Sequence, residues 1–247
     1  MRGARVAVIG AGGAIGAAIC AALTRTGAVP IGCDIDAEAA RAAAPDGRAE
    51  TVDVTDPSDV AALSGRLDGP LDGLVYAAGV AFTADLGRID WAAYRRLMAV
   101  NLDGAFHCCQ AFLPALRASE GGGSAVLISS MAGLRGEAGA AAYSASKFGL
   151  IGLAESVAAE GTAAGPRVNA LCPGNVDSPL LRQVAGDIAR EQGDSGDAVY
   201  EGMARVGAAK RLVRPEEVAE AALWLLSPAA GAVTGTALRV DAGGMVG

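Results

Sequence analysis

Residues 4–16 read ARVAVIGAGGAIG. The first six, ARVAVI, are a short apolar run with the pattern of a buried strand. GAGGAIG, Gly10 to Gly16, follows at once. An alanine-rich helical pattern then continues to about Arg25, with Gly27 where a helix C-terminal glycine belongs. Strand, glycine turn and helix are the first half of a βαβ unit of the kind that binds dinucleotides. Glycine lets the backbone approach a pyrophosphate, and the helix N-terminus faces its negative charge. Glycine-rich turns also serve plain strand-to-helix packing, so the rest of the chain has to decide between the two.

Outward from that turn, residues 29–34 (VPIGCD) make a second strand ending on Asp34, with Pro30 tolerable because it stands among the strand's first residues. An acid there, about 20 residues past the glycines, is placed to hydrogen-bond adenosine ribose hydroxyls. The same carboxylate repels a 2′-phosphate. No Arg or Lys lies between Gly10 and Gly16, and Ile35 and Asp36 follow Asp34, so NAD is expected over NADP. The competing reading is that Asp34 or Asp36 caps a helix starting near Ala37, which suits Asp36. Helix 37–44 ends before Pro45, and a strand near 49–52 leads to Asp53 and Val54. Thr55 or Asp56 then caps a helix with Pro57 in its first turn. Residues 72–76 (DGLVY) are a fourth strand, leading into Ala77, Ala78 and Gly79, small enough to pass close under a nucleotide.

A helical pattern from Trp91 to about Leu116 is interrupted on its apolar face by Asn101, a weak helix former. Strands at 123–130, 167–171 and 236–241 and helices at 142–161 and 215–227 complete the alternation. The fold class expected is α/β: one domain over 1–247, a Rossmann fold with a doubly wound parallel seven-stranded sheet and helices on both faces. Residues 175–212, with helical pieces near 178–192 and 197–206 and Gly193 and Gly196 between them, form an insertion after the sixth strand. An insertion with mobile joints beside a site is expected to act as a substrate lid.

The chemistry gathers at strand ends. Ser130 to Lys147 reads SMAGLRGEAGAAAYSASK. Tyr143 and Lys147, at i and i+4, share a helix face. An ammonium beside a phenol favours the phenolate and is expected to pull Tyr143 from about 10 toward neutrality. That gives a proton donor and acceptor usable at physiological pH. By itself the pair is short and common, and a tyrosine at a helix start with a surface lysine satisfies it. Cys172-Pro173-Gly174 closes the sixth strand, so four strand-end loops carry polar or glycine features, where open parallel sheets bind ligands.

Composition closes off other classes. The 247 residues are 52% hydrophobic, with net charge −7, pI about 4.8 and mean hydropathy +0.35. No Lys/Arg cluster occurs, so neither nucleic acid nor an anionic membrane is expected as partner. No run reaches the roughly 18 apolar residues of a membrane span. Val6 to Ile9 leads into glycines rather than a signal-peptide core, and a cytoplasmic protein is expected. Cys20, Cys33, Cys108, Cys109 and Cys172 are scattered and odd in number, fitting neither a disulfide framework nor a zinc site. Buried free thiols are expected. The single histidine, His107, sits in an apolar helix pattern without metal or triad partners and reads as a packing residue; no metal is expected.

With these residues in order over nearly the whole chain, the sequence resembles the short-chain dehydrogenase/reductase family. Gly10, Gly12, Gly13 and Gly16 resemble its TGxxxGxG turn, and Asp53 the acid that contacts adenine after the third strand. Asn101 matches the active-site asparagine of the long helix. Ser130, Tyr143 and Lys147 match the serine-x12-tyrosine-x3-lysine signature. Pro173-Gly174-Asn175-Val176 matches the turn that holds the nicotinamide, and Ser178 stands where a threonine is frequent. Three supporting positions depart: Ile9 for threonine, Ala14 for the middle glycine, and Ala77 for the asparagine of the NAG sequence.

The resemblance implies an NAD(H)-dependent oxidoreductase interconverting a secondary alcohol and its ketone. Its cofactor site would comprise Gly10, Gly12, Gly13, Ile15, Gly16, Asp34, Ile35, Asp53, Val54, Ala78, Gly79, Tyr143, Lys147, Pro173, Gly174, Val176 and Ser178. Tyr143 would take the hydroxyl proton and Ser130 would hold the substrate oxygen. Lys147 would lower the tyrosine pKa and hold the nicotinamide ribose, and Asn101 would hold a water joining Lys147 to solvent. Met131, Arg135, Glu137 and Asn175 are expected to line the substrate site with the lid, and Glu137 tilts the substrate toward a small polar or cyclic alcohol. A homotetramer, formed through the long helices, is expected by the same analogy. Two other readings stand beside it. A 3-oxoacyl thioester reductase using NADPH is kept open by Arg135, Arg182 and Arg190 and opposed by Asp34 and the acidic pI. A non-catalytic NAD-binding sensor should have lost Ser130, Tyr143 or Lys147.

Overall fold

The computed structural model describes residues 1–161 and 165–246. Among these, seven strands form one sheet: β1 (Arg5–Ile9), β2 (Val29–Asp34), β3 (Arg48–Thr51), β4 (Gly73–Tyr76), β5 (Ser124–Ile128), β6 (Arg167–Pro173) and β7 (Ala237–Val240). Their order is β3-β2-β1-β4-β5-β6-β7, and every neighbouring pair is parallel. The chain winds outward from β1 to β3, then returns to β4 on the other side of β1 and winds outward again. Parallel neighbours need a crossover between them. The helices α1 (Ala14–Arg25), α2 (Ala37–Ala43) and α3 (Pro57–Leu67) supply it in the first half, and α6 (Ala141–Ala159) and α9 (Pro215–Leu226) in the second.

Helices cover both faces, so β4 and β5 are buried throughout and read as continuous apolar runs. Successive side chains of β4 still point to opposite faces. Leu74 and Tyr76 join a core with Leu63, Leu67, Phe112 and Leu150, while Val75 joins one with Ile19, Leu23, Leu171 and Leu226. All five cysteines are buried and free. No helix among the described residues is long and apolar enough to cross a membrane.

One expected element divides. The pattern from Trp91 to Leu116 is two helices, α4 (Trp91–Met98) and α5 (Gly104–Arg117), joined by a five-residue π turn, Ala99–Asp103. The wider turn drives Asn101 inward until it is wholly buried. Two contacts hold it there. The Tyr76 hydroxyl donates to the Val100 carbonyl, and Gly104 lets α5 pass over β4, where a Cβ would meet the Tyr76 oxygen at 2.5 Å. Strand β5 also stops at Ile128, short of Ser130, because Ser130 leaves the ladder to accept from Ala132 N (3.1 Å) and cap a 3₁₀ turn.

The 175–212 insertion holds α7 (Pro179–Gln192) and α8 (Gly196–Ala204), separated at Gly193, which caps α7 in the left-handed conformation. Tyr200 on α8 donates to Asp177 (2.5 Å), and the Arg182 guanidinium lies 4.1 Å over the Tyr200 ring, joining the two helices.

Candidate active site

The glycine turn is shaped by close approach. Gly10 has φ +82°, and a Cβ there would lie 2.4 Å from the Ala78 nitrogen. At Gly16 a Cβ would lie 2.1 Å from the Gly10 carbonyl. Gly13 is the N-cap of α1 and no side chain caps that helix, which leaves the positive end of its dipole to a ligand. Asp34 reaches back to this turn, accepting from Gly12 N (2.9 Å) and from Asp36 N (3.1 Å). Asp36 caps α2, accepting from Glu38 N and Ala39 N. Ile35 is 69% exposed at the end of β2. At the end of β3, Asp53 accepts from Thr55 N and Thr55 Oγ1, and Val54 beside it is buried. Of the departures, Ile9 is wholly buried in the core, Ala14 opens α1, and Ala77 continues the β1 ladder by donating to Ile9 O.

The π turn brings Asn101 to the loop after β4. Its Oδ1 accepts from Val80 N (2.9 Å), and its Nδ2 donates to Val80 O (3.0 Å) and Ser146 Oγ (3.1 Å). Three of its four hydrogen-bonding sites are thus engaged with protein, leaving one acceptor site. His107, on α5, packs with Nδ1 3.0 Å from Val54 O.

Lys147 is 4% exposed on α6 and donates from Nζ to Ile128 O at 2.9 Å. Ser129 Oγ donates to the Lys147 carbonyl (2.8 Å), and a Cβ at Gly133 would lie 2.5 Å from that hydroxyl. The 3₁₀ turn therefore packs directly under α6, setting Ser130 against Tyr143. Lys147 Nζ is 5.6 Å from the Tyr143 ring centroid.

One expectation is corrected at this point. Burial raises the Tyr143 phenol above its ordinary value, the Ser130 hydrogen bond opposes the rise, and the Glu137 charge adds to it. The net direction is the reverse of what the i, i+4 spacing predicts: burial dominates at Tyr143, and Lys147 Nζ gives one of its protons to the Ile128 carbonyl. Burial likewise brings Lys147 down to about 8, with Cys172 acting in the other direction. In both groups desolvation favours the neutral form.

A cavity of about 240 Å³ opens over Ser130 and Tyr143. Ile15, Gly79, Lys147, Pro173, Gly174, Val176 and Ser178 lie on its wall, as do Met131, Glu137 and Asn175. Asn175 Nδ2 donates to Met203 O (3.0 Å), and Ser178 caps α7 by accepting from Leu181 N (3.2 Å). Arg135 is not on the wall. Its N–H closes the 3₁₀ turn on Met131 O and its side chain stands exposed. Asp34 and Asp53 lie away from the cavity, at the ends of the outer strands β2 and β3. Sequence reasoning missed Phe82 and Thr83, in a loop without period. It placed the lid at the site without singling out Leu180, Leu181, Val184 and Ile188. Those four recur at helical spacing on α7, a signal that names an apolar face but not what the face covers.

A family model described as enoyl-(acyl carrier protein) reductase, of the short-chain dehydrogenase type, matches residues 10–245. The chain is 39% identical over 250 residues to cis-4-hydroxycyclohexanecarboxylate dehydrogenase of Sinomonas cyclohexanicum, spanning 97% of this chain and 96% of the relative. It is 38% identical over 250 residues to galactitol 2-dehydrogenase (L-tagatose-forming) of Cereibacter sphaeroides, spanning 98% and 94%. Among solved structures, levodione reductase superposes with a TM-score of 0.91 at 27% identity over 98% of both chains.

Proposed function

The chain belongs to the short-chain dehydrogenase/reductase family, and we propose that within it this protein interconverts a small cyclic secondary alcohol and its ketone with NAD. The observation that carries the reading is the meeting of Ser130, Tyr143 and Lys147 at the wall of one largely apolar cavity. Relatives named for a hydroxycyclohexane acid and for galactitol support an alcohol of that size.

The residues present fit a nicotinamide dinucleotide. Gly10 and Gly16 let the turn fold tightly against the Ala78 backbone and the Gly10 carbonyl, which leads the chain directly into α1, whose N-terminus carries no side-chain cap and suits a pyrophosphate. Pro173, Gly174, Val176, Ser178 and Ile15 would hold the nicotinamide end, and Asp34, Ile35, Asp53 and Val54 the adenosine end. Bound there, the cofactor accepts hydride in one direction and supplies it in the other.

The chain's own groups move the proton. In oxidation the Tyr143 oxygen takes the proton of the substrate hydroxyl. Ser130 donates to that same substrate oxygen and stabilises the charge building on it. Lys147, with one proton engaged by Ile128 O, holds the phenolate electrostatically as it forms. Asn101 fixes Val80 and Ser146, and hence the spacing between the β4 loop and α6; its remaining acceptor site suits a water leading toward Lys147. Helix α7 turns an apolar face to the substrate, α8 adds Met203, and the two together act as the lid that excludes water.

Asp34 carries the choice of NAD. Its carboxylate faces the turn, and a 2′-phosphate beside it would meet like charge. Wild-type kcat/KM is expected to favour NAD over NADP by about 100-fold, roughly 2.8 kcal/mol at about 1.4 kcal/mol per decade. Asp34→Asn, which keeps an acceptor for Gly12 N, should narrow that ratio at least tenfold. A wild-type preference for NADP would sink the assignment and favour the thioester-reductase reading.

We also assign a homotetramer, built on α5 and α6. Phe106 and Phe148 on these helices are 53% and 46% exposed, large apolar groups better covered than solvated. Light scattering is expected to give four chains; a monomer at micromolar concentration removes the assignment.

A further inference from the structure

We propose that the site selects an uncharged alcohol and turns away a carboxylate, with Glu137 setting the discrimination from the cavity wall. The inference rests on the alcohol-dehydrogenase reading above.

The wall beyond the reacting groups is mostly apolar, with Phe82, Leu180, Leu181, Val184, Ile188 and Met203, and its polar side chains Thr83, Asn175 and Ser178 carry no charge. Among the described residues, the ionisable side chains on it are Glu137, Tyr143 and Lys147. A carboxylate taken from water into such walls needs a cation or several N–H donors. Lys147 does not serve, because its ammonium lies buried beside Tyr143, bonded to Ile128 O at 2.9 Å. The arginines of the insertion are engaged elsewhere. Arg182 stacks on Tyr200 and lies 3.9 Å from Asp177, while both guanidinium arms of Arg211 donate to Glu217 at 2.7 Å. Arg135 stands exposed, off the wall.

Glu137, by contrast, lines the cavity, at its solvent-exposed edge, and its backbone is fixed there. Its carbonyl accepts from Ala140 N (3.2 Å), and Gly139 O accepts from Ala84 N (2.9 Å), tying the Glu137 loop to the loop after β4. Gln183 on α7 reaches that second loop at Ala81 O (3.4 Å), so three segments meet at one rim. The Glu137 charge is felt at the reacting end, since it contributes to the rise of the Tyr143 phenol. A second negative charge entering past this edge meets that field before it reaches Tyr143, and because Glu137 is exposed the repulsion is open to screening by salt.

The test compares cis-4-hydroxycyclohexanecarboxylate with its methyl ester, which keeps the ring and hydroxyl and removes the charge. The ester is expected to have the higher kcat/KM by at least about tenfold, mostly through KM, with the ratio shrinking as salt is raised across the range where the Debye length falls from about 10 Å to 3 Å. Glu137→Gln should close most of that ratio. A wild-type preference for the carboxylate, or a ratio unchanged in Glu137→Gln, overturns the inference. If cyclohexanol is oxidised and both ring compounds are too bulky to turn over, inhibition of cyclohexanol oxidation decides instead. Methyl cyclohexanecarboxylate should then inhibit at least about tenfold better than cyclohexanecarboxylate, and the reverse order overturns the inference. Failure to oxidise any of these alcohols with NAD or NADP defeats the alcohol-dehydrogenase reading itself, a result distinguishable from either ratio.

Discussion

Tyr143→Phe is expected to lower kcat for alcohol oxidation by about 10³-fold or more, within the range for loss of a positioned acid–base group and at its upper side, while dinucleotide binding stays within a few-fold. The variant keeps the ring and loses one oxygen. That oxygen faces the cavity, where its protein partner is the Ser130 hydroxyl, so the core is unchanged and circular dichroism and melting should match wild type. Ser130 can still orient a substrate oxygen but has no base beside it to receive the proton. In wild type, oxidation needs the phenolate, and burial and Glu137 both raise the phenol while Ser130 lowers it. Oxidation should therefore climb with pH toward the alkaline side, and reduction, which needs the phenol, should hold at lower pH. Calorimetry of NAD binding together with a single-turnover assay checks both halves. A variant that keeps more than about a tenth of wild-type kcat removes Tyr143 from the chemistry, because a lost general base costs at least about 10²-fold.

The parts of this fold that were legible in the chain are those where one physical demand leaves one pattern. A strand covered on both faces has to be apolar throughout, so SAVLI and GLVY stand out. A turn so close to the Ala78 backbone that a Cβ would lie 2.4 Å from its nitrogen tolerates only glycine at Gly10. Asn101 was legible as an interruption but not as a π turn, since one extra residue in a turn leaves the apolar spacing on either side intact. The Tyr143–Lys147 pair shows the limit most directly. Spacing of four fixes a common face, but the lysine stem has four rotatable bonds. Where its ammonium points is decided by the Ile128 carbonyl, nineteen residues away in sequence. For the same reason Arg135 could be assigned to the loop but not to the wall. The apolar face of α7 is visible as a stripe, yet only the packed structure says that part of it covers a cavity instead of core.

Lys147→Met separates function from stability more sharply than any other change in the site. Activity should fall by about 10²- to 10³-fold, since the phenolate loses the cation that holds it. The melting temperature should nevertheless rise. Lys147 is 4% exposed, and its polar contact is a neutral carbonyl. Burial brings it from 10.5 to about 8 in the folded protein. A depression of that size corresponds to a penalty on the order of 3 kcal/mol for keeping the ammonium charged. The penalty is present in full below about pH 8, where both states are protonated. It fades between about 8 and 10.5, where the unfolded chain alone still binds the proton, so wild-type stability rises with pH across that window. Methionine has similar length and no charge to desolvate. Against the gain stands the Ile128 carbonyl, left without its donor at a cost of about 1–2 kcal/mol. The net at pH 7 is a variant more stable by about 1–2 kcal/mol, a rise of about 2–8 °C; as the pH approaches 10.5 the gain vanishes while the carbonyl's cost remains, and the variant becomes the less stable by about 1 kcal/mol. Thermal melts at pH 7 and pH 10 beside steady-state rates check this. A melting temperature that falls by several degrees at pH 7 makes Lys147 a structural residue, and a wild-type kcat removes it from the reaction. A large loss of rate in a protein that melts higher means that the fold holds this charge against its own stability, which only its use at Tyr143 accounts for.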